Sequence, residues 1–304
     1  MAGLKQIKTK IRSVEKSRQV TKAMEAVSAA KMRKAQLRAL QGRAYARAAA
    51  GILARVSGAR EMRGHMLTEV RPITKAVYIV LTSDKGLAGA LNSAVLRAAA
   101  ADIEALGLTP ANTAIIAIGR KATDFFANRG FVVERSEHNI DSISSDFIAE
   151  LVQTAVTRFG SGATDLVKIV YQNFFSTFEQ RPTLRTIFPL SLTELSQVVT
   201  DIVPKRGVFS ELRTVERPAG YTIEPSEEEV LVAILPRLAS IFVYHALLES
   251  QASEHSARMV AMKSASDKAT DLTKALTITF NKARQAAITR EVSEITGGME
   301  AMAT

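Results

Sequence analysis

From Arg237 to Thr296 the chain runs for sixty residues without a glycine or a proline. At about 1.5 Å per residue, an unbroken helix there is roughly 90 Å long. Ordinary globular helices are about 11 to 12 residues, and a periodic run beyond about 25 indicates a coiled coil, a membrane span or a helical repeat. Charges recur from Glu249 through Arg258, Asp267, Lys274 and Arg284 to Glu294. On that reading no window holds the 18 consecutive apolar residues of a bilayer span, and a packed, water-bathed helix is expected.

Local signals set its ends. Ser226 followed by Glu229 fits a capping box, with Glu227 and Glu228 on the positive end of the helix dipole. Pro236 is expected to kink or restart the helix, and Gly297 and Gly298 to stop it in the left-handed conformation. In between, Met262, Ala265, Ala269, Leu272, Leu276, Thr279, Ala283 and Ala286 alternate steps of three and four, the seam of a left-handed coiled coil. Most are small, so a partner helix approaches closely but little area is buried.

A second long helix is expected at the N-terminus. No proline or glycine falls between Gly3 and Gly42, and Leu4, Ile7, Ile11 and Val14 keep a three-four spacing before the stripe drifts to Val20, Met24 and Val27. The first sixty residues hold fifteen lysines and arginines against Glu15 and Glu25, a surplus of 13 that exceeds the +10 of the whole chain. From Ser226 onward eight bases face ten acids, so the two helices attract one another as an antiparallel pair. Clustered bases also allow a basic coiled-coil module that binds nucleic acid, since Lys and Arg are the footprint of phosphate binding. Against that, Tyr45 is the segment's one aromatic, and no zinc finger, basic zipper register or RNA-binding aromatic signature is recognisable. A solvated coiled-coil face, or docking on an acidic protein surface, accounts for the charge equally well.

Residues 72–190 read as an α/β layer with a largely parallel sheet. Strands at Lys75–Leu81, Thr113–Ile118, Phe131–Val133, Leu166–Tyr171 and Thr183–Phe188 alternate with helices at Asn92–Leu106, Arg120–Asn128 and Asp146–Phe159. A hairpin through Gln180 to Pro182 turns the last strand antiparallel. Residues 191–225, with Pro204, Gly207, Pro218 and Gly220, read as a connector. The organisation is therefore 1–60 N-terminal helix, 72–190 α/β domain, 191–225 connector and 226–304 C-terminal helix and tip.

Chemistry is sparse. The chain has no cysteine, which excludes disulfides, thiolate metal sites and thiol switches. Ser83-Asp84-Lys85-Gly86-Leu87-Ala88-Gly89 follows a strand and precedes a helix, as a phosphate cradle does. Yet Ala90 and Leu91 replace the Lys and Ser/Thr of a P-loop, and the three-glycine dinucleotide pattern is missing, so a tight turn or a protein-contact loop is favoured. His65, His138, His245 and His255 lack ligand spacing, so no metal is expected. Neither a Ser-His-Asp set nor a paired carboxylate is recognisable, which leaves an autonomous nucleotide enzyme the weaker class; no cofactor and no small-molecule substrate are expected. Charges interrupt the run from Met1 within five residues, so no apolar signal core is read there.

Thr21-Lys22-Ala23-Met24-Glu25-Ala26-Val27 with Ala30-Lys31-Met32-Arg33, the loop Ser83 to Asn92, and the stretches Ser253 to Asp267 and Asn281 to Gly298 resemble the γ subunit of the F-type ATP synthase. The likeness covers essentially the whole chain in matching order. It implies a long antiparallel two-helix coiled coil of the terminal helices with a Rossmann-like α/β domain inserted between them. It also implies a rotor shaft in a ring of α and β subunits, driven by the proton-carrying c-ring, with ATP chemistry left on β. The ε subunit is the further partner it implies, and nucleic acid is not one.

Carried over by position, Met24, Asp84, Lys85, Ala88, Lys282, Arg284, Gln285 and Thr289 are expected to touch β. Met299 and Met302 form an apolar tip in a bearing, where adaptable thioethers suit changing neighbours. Tyr221 and Glu224 form the foot near the ε subunit and the membrane ring. Chloroplast relatives carry a thiol-switch insertion that is missing here, and no transit peptide is expected ahead of Met1. A peripheral protein on the cytoplasmic face of a bacterial inner membrane is therefore expected. The segment from Val199 to Gly207 has no counterpart in this reading.

Overall fold

The computed structural model describes residues 2–56, 65–138, 143–190 and 226–303. Its helices are α1 (Ala2–Val56), α2 (Leu91–Ala105), α3 (Arg120–Ala127), α4 (Ser145–Gly160) and α5 (Glu227–Ala303). Its strands are β1 (Ala76–Leu81), β2 (Thr113–Ile118), β3 (Val132–Glu137), β4 (Leu166–Phe174) and β5 (Gln180–Phe188). The chain divides into two compact units, Met1–Ala29 with Arg258–Thr304, and Ala30–Ala257.

In the second unit the strands form one sheet in the order β3-β2-β1-β4-β5. All neighbours are parallel except β4 and β5, which pair antiparallel. Every residue of β1 is buried, as expected of a central strand covered on both faces. Side chains alternate between faces along a strand. Val77, Ile79 and Leu81 therefore join one core with Leu151 and Phe159 of α4 and Leu238, Phe242 and Val243 of α5. Ala76, Tyr78 and Val80 join another with Val95 and Ala99 of α2 and Phe126 of α3.

Two boundaries differ from the sequence reading. β3 extends through Glu134, Arg135, Ser136 and Glu137, because it is an edge strand whose charges blunt an open ladder. The turn between β4 and β5 lies at Phe175 to Glu179, closed by Ser176 N–H to Glu179 O and Glu179 N–H to Ser176 O. Gln180 to Pro182 already belong to β5, where Pro182 opposes Gln172 across the ladder.

α5 starts as expected, with Ser226 Oγ accepting from Glu229 N at 3.2 Å. It then runs through Pro236 and through Gly297 and Gly298 to Ala303 without a break. A mid-helix proline costs about 3 kcal/mol and a glycine about 1. Leu235, Leu238 and Ala239 beside Pro236 are buried in the sheet core, and that packing outweighs the local penalty. The two glycines stay right-handed, since a glycine permits a left-handed stop without requiring one.

Composition alone does not separate α5 from a membrane helix: among the described residues it contains an 18-residue window of mean hydropathy 1.4. The charges counted from Glu249 onward left Val230 to Leu248 out, a run with Arg237 as its one full charge. Burial of Leu235, Leu238, Ala239, Phe242, Val243, Ala246 and Leu247 in the sheet core makes it a core helix.

The first unit is the antiparallel two-helix coiled coil. On α1 the covered positions are Leu4, Ile7, Ile11, Val14, Arg18, Thr21, Glu25 and Ser28, a three-four alternation that Met24 and Ala29, also partly covered, widen at its end. The drift expected toward Val20, Met24 and Val27 stands only at Met24, which is half-buried; Val20 and Val27 are both 58% exposed. On α5 the covered row is Met262, Ser266, Ala269, Thr273, Leu276, Phe280, Ala283 and Ala287, with Ala265 and Thr270 partly covered beside it. Five of the eight expected seam residues thus stand (Met262, Ala265, Ala269, Leu276 and Ala283), while Leu272, Thr279 and Ala286 face outward. The reason is degeneracy: small residues fit either alternate row, and Phe280 selects the one it belongs to.

Candidate functional site

The candidate contact residues fall into a collar and tip on the coil, and a loop on the sheet domain. Residues advance about 100° each around a helix. Relative to the seam marked by Ala283 and Ala287, Lys282 and Thr289 fall on one flank, Arg284 on the other, and Gln285 at the back, opposite the seam. All four are exposed, and Thr289 Oγ1 donates back to Gln285 O at 3.0 Å. Met24 is half-buried, beside the seam rather than out on the collar surface.

From Ile288 to Met299 every residue of α5 is exposed. Ile288, Val292, Ile295 and Met299 recur at steps of four, three and four, on the flank that carries Arg284. They form an apolar stripe, 48% to 67% exposed. Sequence reasoning named Met299 alone of these, although the spacing was legible as a second row displaced from the seam. Met302 lies on the same continuous helix. Tyr221 and Glu224 lie outside the described residues, as does the 199–207 segment.

The loop between β1 and α2 is braced from both sides. Ser83 N donates to Asn92 Oδ1 at 2.9 Å and Asn92 Nδ2 to Ser83 Oγ at 2.7 Å. Asp84 Oδ1 accepts from Arg120 N at 2.9 Å and lies 3.4 Å from His138 Nδ1. That carboxylate thus caps the first turn of α3. Gly119, the residue before it, has φ +98, and a Cβ there would come within 2.0 Å of Thr82 O. Only glycine lets the two loops approach this closely. Ala88 is buried, while Lys85, Gly86 and Leu87 are exposed. The loop is a braced structural turn with an exposed crest.

His65 and His138 lie in separate loops, and His245 and His255 share α5. His65 Nδ1 accepts from Leu67 N and caps a short 3₁₀ turn, and His245 sits 3.7 Å from Glu249 one helical turn on. Among the described residues no group of three or more potential ligands could hold a metal. The strongest ionisable cluster is structural: Asp102 accepts from Tyr78 Oη at 2.5 Å and from Lys168 Nζ at 2.8 Å between β1, β4 and α2. Burial first, then the Asp102 hydrogen bond and charge, push the Tyr78 phenol up.

These features define a class, proteins that join an antiparallel two-helix coil and an α/β domain in one chain. The family model described as ATP synthase matches residues 3–302. The ATP synthase gamma chain of Staphylococcus aureus (strain JH9) is 36% identical over 303 residues, covering 99% of this chain and 100% of that one. The chain belongs to the ATP synthase gamma chain family. Its fold is similar to a chain of the Euglena gracilis mitochondrial ATP synthase OSCP/F1/c-ring in rotational state 3, with TM-score 0.66, 20% identity and coverage of 99% and 95%. A chain of the Tetrahymena thermophila mitochondrial ATP synthase central stalk and c-ring gives TM-score 0.57 at 22% identity, covering 81% of this chain and 99% of that one. The comparisons lend the nucleic-acid reading no support.

Proposed function

We propose that this chain is the central rotor shaft of an F-type ATP synthase, turning inside the ring of α and β subunits to couple proton flow to ATP synthesis on β. The observation that carries the reading is the match over 99% of the chain to a full-length gamma chain. The coil supports it. Lys282, Arg284, Gln285 and Thr289 present polar contacts on both flanks of the seam and opposite it, where a ring of subunits meets them in turn. The stripe from Ile288 to Met299 suits an apolar bearing, with Met302 beyond it. Asp84, Lys85 and Ala88 belong to the loop that meets β, Met24 to the facing helix, and Tyr221 and Glu224 to the foot against the ε subunit and c-ring.

In this role the chain carries no catalytic site; its work is to present an asymmetric surface that biases each β subunit in turn. The place it works is the cytoplasmic face of the bacterial inner membrane, as a peripheral part of the complex. The test is ATP hydrolysis by purified α and β subunits with and without the chain, together with size exclusion. Stimulated hydrolysis and one copy in a large assembly are expected. A chain that neither joins nor stimulates overturns the reading. Arg284→Ala is expected to lower hydrolysis and coupled synthesis about tenfold while the chain still folds, since the side chain is exposed.

A further inference from the structure

A serine or threonine hydroxyl on a helix can bond back to the carbonyl one turn earlier. On α5 Thr270, Thr273, Thr277, Thr279, Thr289 and Thr296 do so, each to the carbonyl four residues before it. Ser253 and Ser256 turn their hydroxyls elsewhere. Ser253 Oγ donates to Gln172 O at 3.1 Å and Ser256 Oγ to Thr177 O at 2.7 Å, both on the hairpin of β4 and β5. The two serines are 0% exposed, so water does not compete for either bond.

The hairpin they grip is itself braced. Ser176 Oγ accepts from Phe178 N at 3.3 Å and from Glu179 N at 3.1 Å, and Thr177 O takes a second bond from Gln180 Nε2 at 2.9 Å. Gln172 lies beyond Val170, the last residue that β4 pairs with β1, and Thr177 lies in the turn. Three residues apart, the serines are neighbours on one face of α5, about 4.5 Å apart along its axis. One hydrogen bond is a pivot. Two of them a turn apart oppose both rolling and sliding of the helix, because hydrogen bonds are directional. Leu235, Leu238, Phe242 and Leu247 hold α5 against the sheet core, but the hydrophobic effect is non-directional. All four residues of this lock belong to the unit Ala30–Ala257, and α5 passes out of that unit at Arg258, just beyond Ser256, as one unbroken helix.

We propose that Ser253 and Ser256 are positioning residues for coupling: they fix α5 to the hairpin of β4 and β5, so that a twist on the helix reaches the sheet domain without slip. The proposal rests on the shaft reading and adds to it the residues that join the turning helix to the domain. Neither serine touches a nucleotide or a partner in this role; each acts through the hairpin carbonyl it holds.

The test uses the complete complex in vesicles, with ATP hydrolysis and ATP-driven proton uptake read on one preparation. With Ser253→Ala and Ser256→Ala together, hydrolysis is expected to stay within about twofold of native. Protons moved per ATP against an imposed gradient are expected to fall about fivefold, the scale of one neutral hydrogen bond. A merely structural loss lowers the amount of assembled complex, and with it both rates, but leaves their ratio alone. Each single variant is expected to lose about as much coupling as the double, because the remaining bond is a pivot. Thr277→Ala removes a back-bonded hydroxyl from an exposed position of the same helix and is expected to keep the native ratio. A ratio within about twofold of native in the double variant overturns the proposal, and so does a double loss that equals the product of the single ones. Where the double variant does not assemble, the single variants decide, and native ratios in both overturn it. If the complex carrying the native chain shows no coupling, the shaft reading falls and this proposal with it.

Discussion

Phe126, Phe159 and Tyr171 are removed from solvent inside the sheet domain, whereas Ile11 and Leu276, among the most apolar seam residues of the paired helices, stay half-exposed. The domain closes over two cores of large side chains that interlock across β1. The coil meets itself along a row that includes Arg18, Thr21, Ser28, Ser266 and Thr273, and it turns Val20, Val27, Leu272 and Ile278 outward. A narrow, polar-studded seam gains little from burial, while its outer faces keep apolar area that a stand-alone helix pair has no use for. The domain is built to be stable by itself, and the coil to be completed by what surrounds it.

The contrast is sharpest under truncation. Phe126 contacts Phe125 and Phe131 edge to face, with ring centroids 5.1 and 5.3 Å away. Phe126→Ala is expected to cost about 3 to 5 kcal/mol, the usual range for emptying a closed aromatic site. Denaturant titration of the isolated chain, followed by near-ultraviolet circular dichroism, reads this directly. A loss of under about 1 kcal/mol would show that the core relaxes around the hole and that the domain is less closed than its burial indicates.

On the coil the same truncation is expected to matter less. Leu276→Ala removes a half-buried side chain and is expected to cost about 1 kcal/mol in the isolated chain, roughly half the value of a fully buried leucine. In the assembled ring, where surrounding subunits cover the outer faces, the cost is expected to rise. Thermal denaturation of the chain alone and in complex makes the comparison. An equal loss in both states breaks the idea that the coil is completed by partners.

The same contrast decides what the sequence discloses. Thr113–Ile118 matched β2 at both ends because a β-branched apolar run has one interpretation between turn signals. Polar β3 was read short because an edge strand shares its charges with loops. The coil's existence followed from the lack of helix breakers, but its register did not: rows through Leu272 and through Thr273 are both three-four repeats. As helix ends the local breakers misled, since α5 neither restarts at Pro236 nor stops at Gly297: long-range packing and an unforced glycine leave no trace nearby. In the loop, the family pattern drew attention to Asp84 and Ala88. Only the backbone showed that one caps α3, the other is buried, and Leu87 carries the crest.

The smallest expected effect lies back in the domain, where a carboxylate ties two segments together. Asp165 Oδ2 accepts from Thr74 Oγ1 at 2.6 Å, Thr74 N at 2.9 Å and Lys75 N at 3.0 Å. The Thr74 hydroxyl first, then the two amides and the charge of Arg71, outweigh partial burial and hold this carboxyl below its usual range. A depressed carboxylate contributes stability above its unfolded value, about 3.9, and that contribution is lost as pH falls through the lower native value. Asp165→Asn keeps one acceptor and is expected to lower the melting temperature by about 1 to 2 °C at neutral pH, discounted for the solvent around the site. The gap is expected to narrow from about pH 4 downward and to close as pH falls through the lower native value, where the native aspartate gains its proton too. If it stays equally wide at low pH, the tie depends on hydrogen-bond geometry alone. The domain's acid response must then come from its other carboxylates.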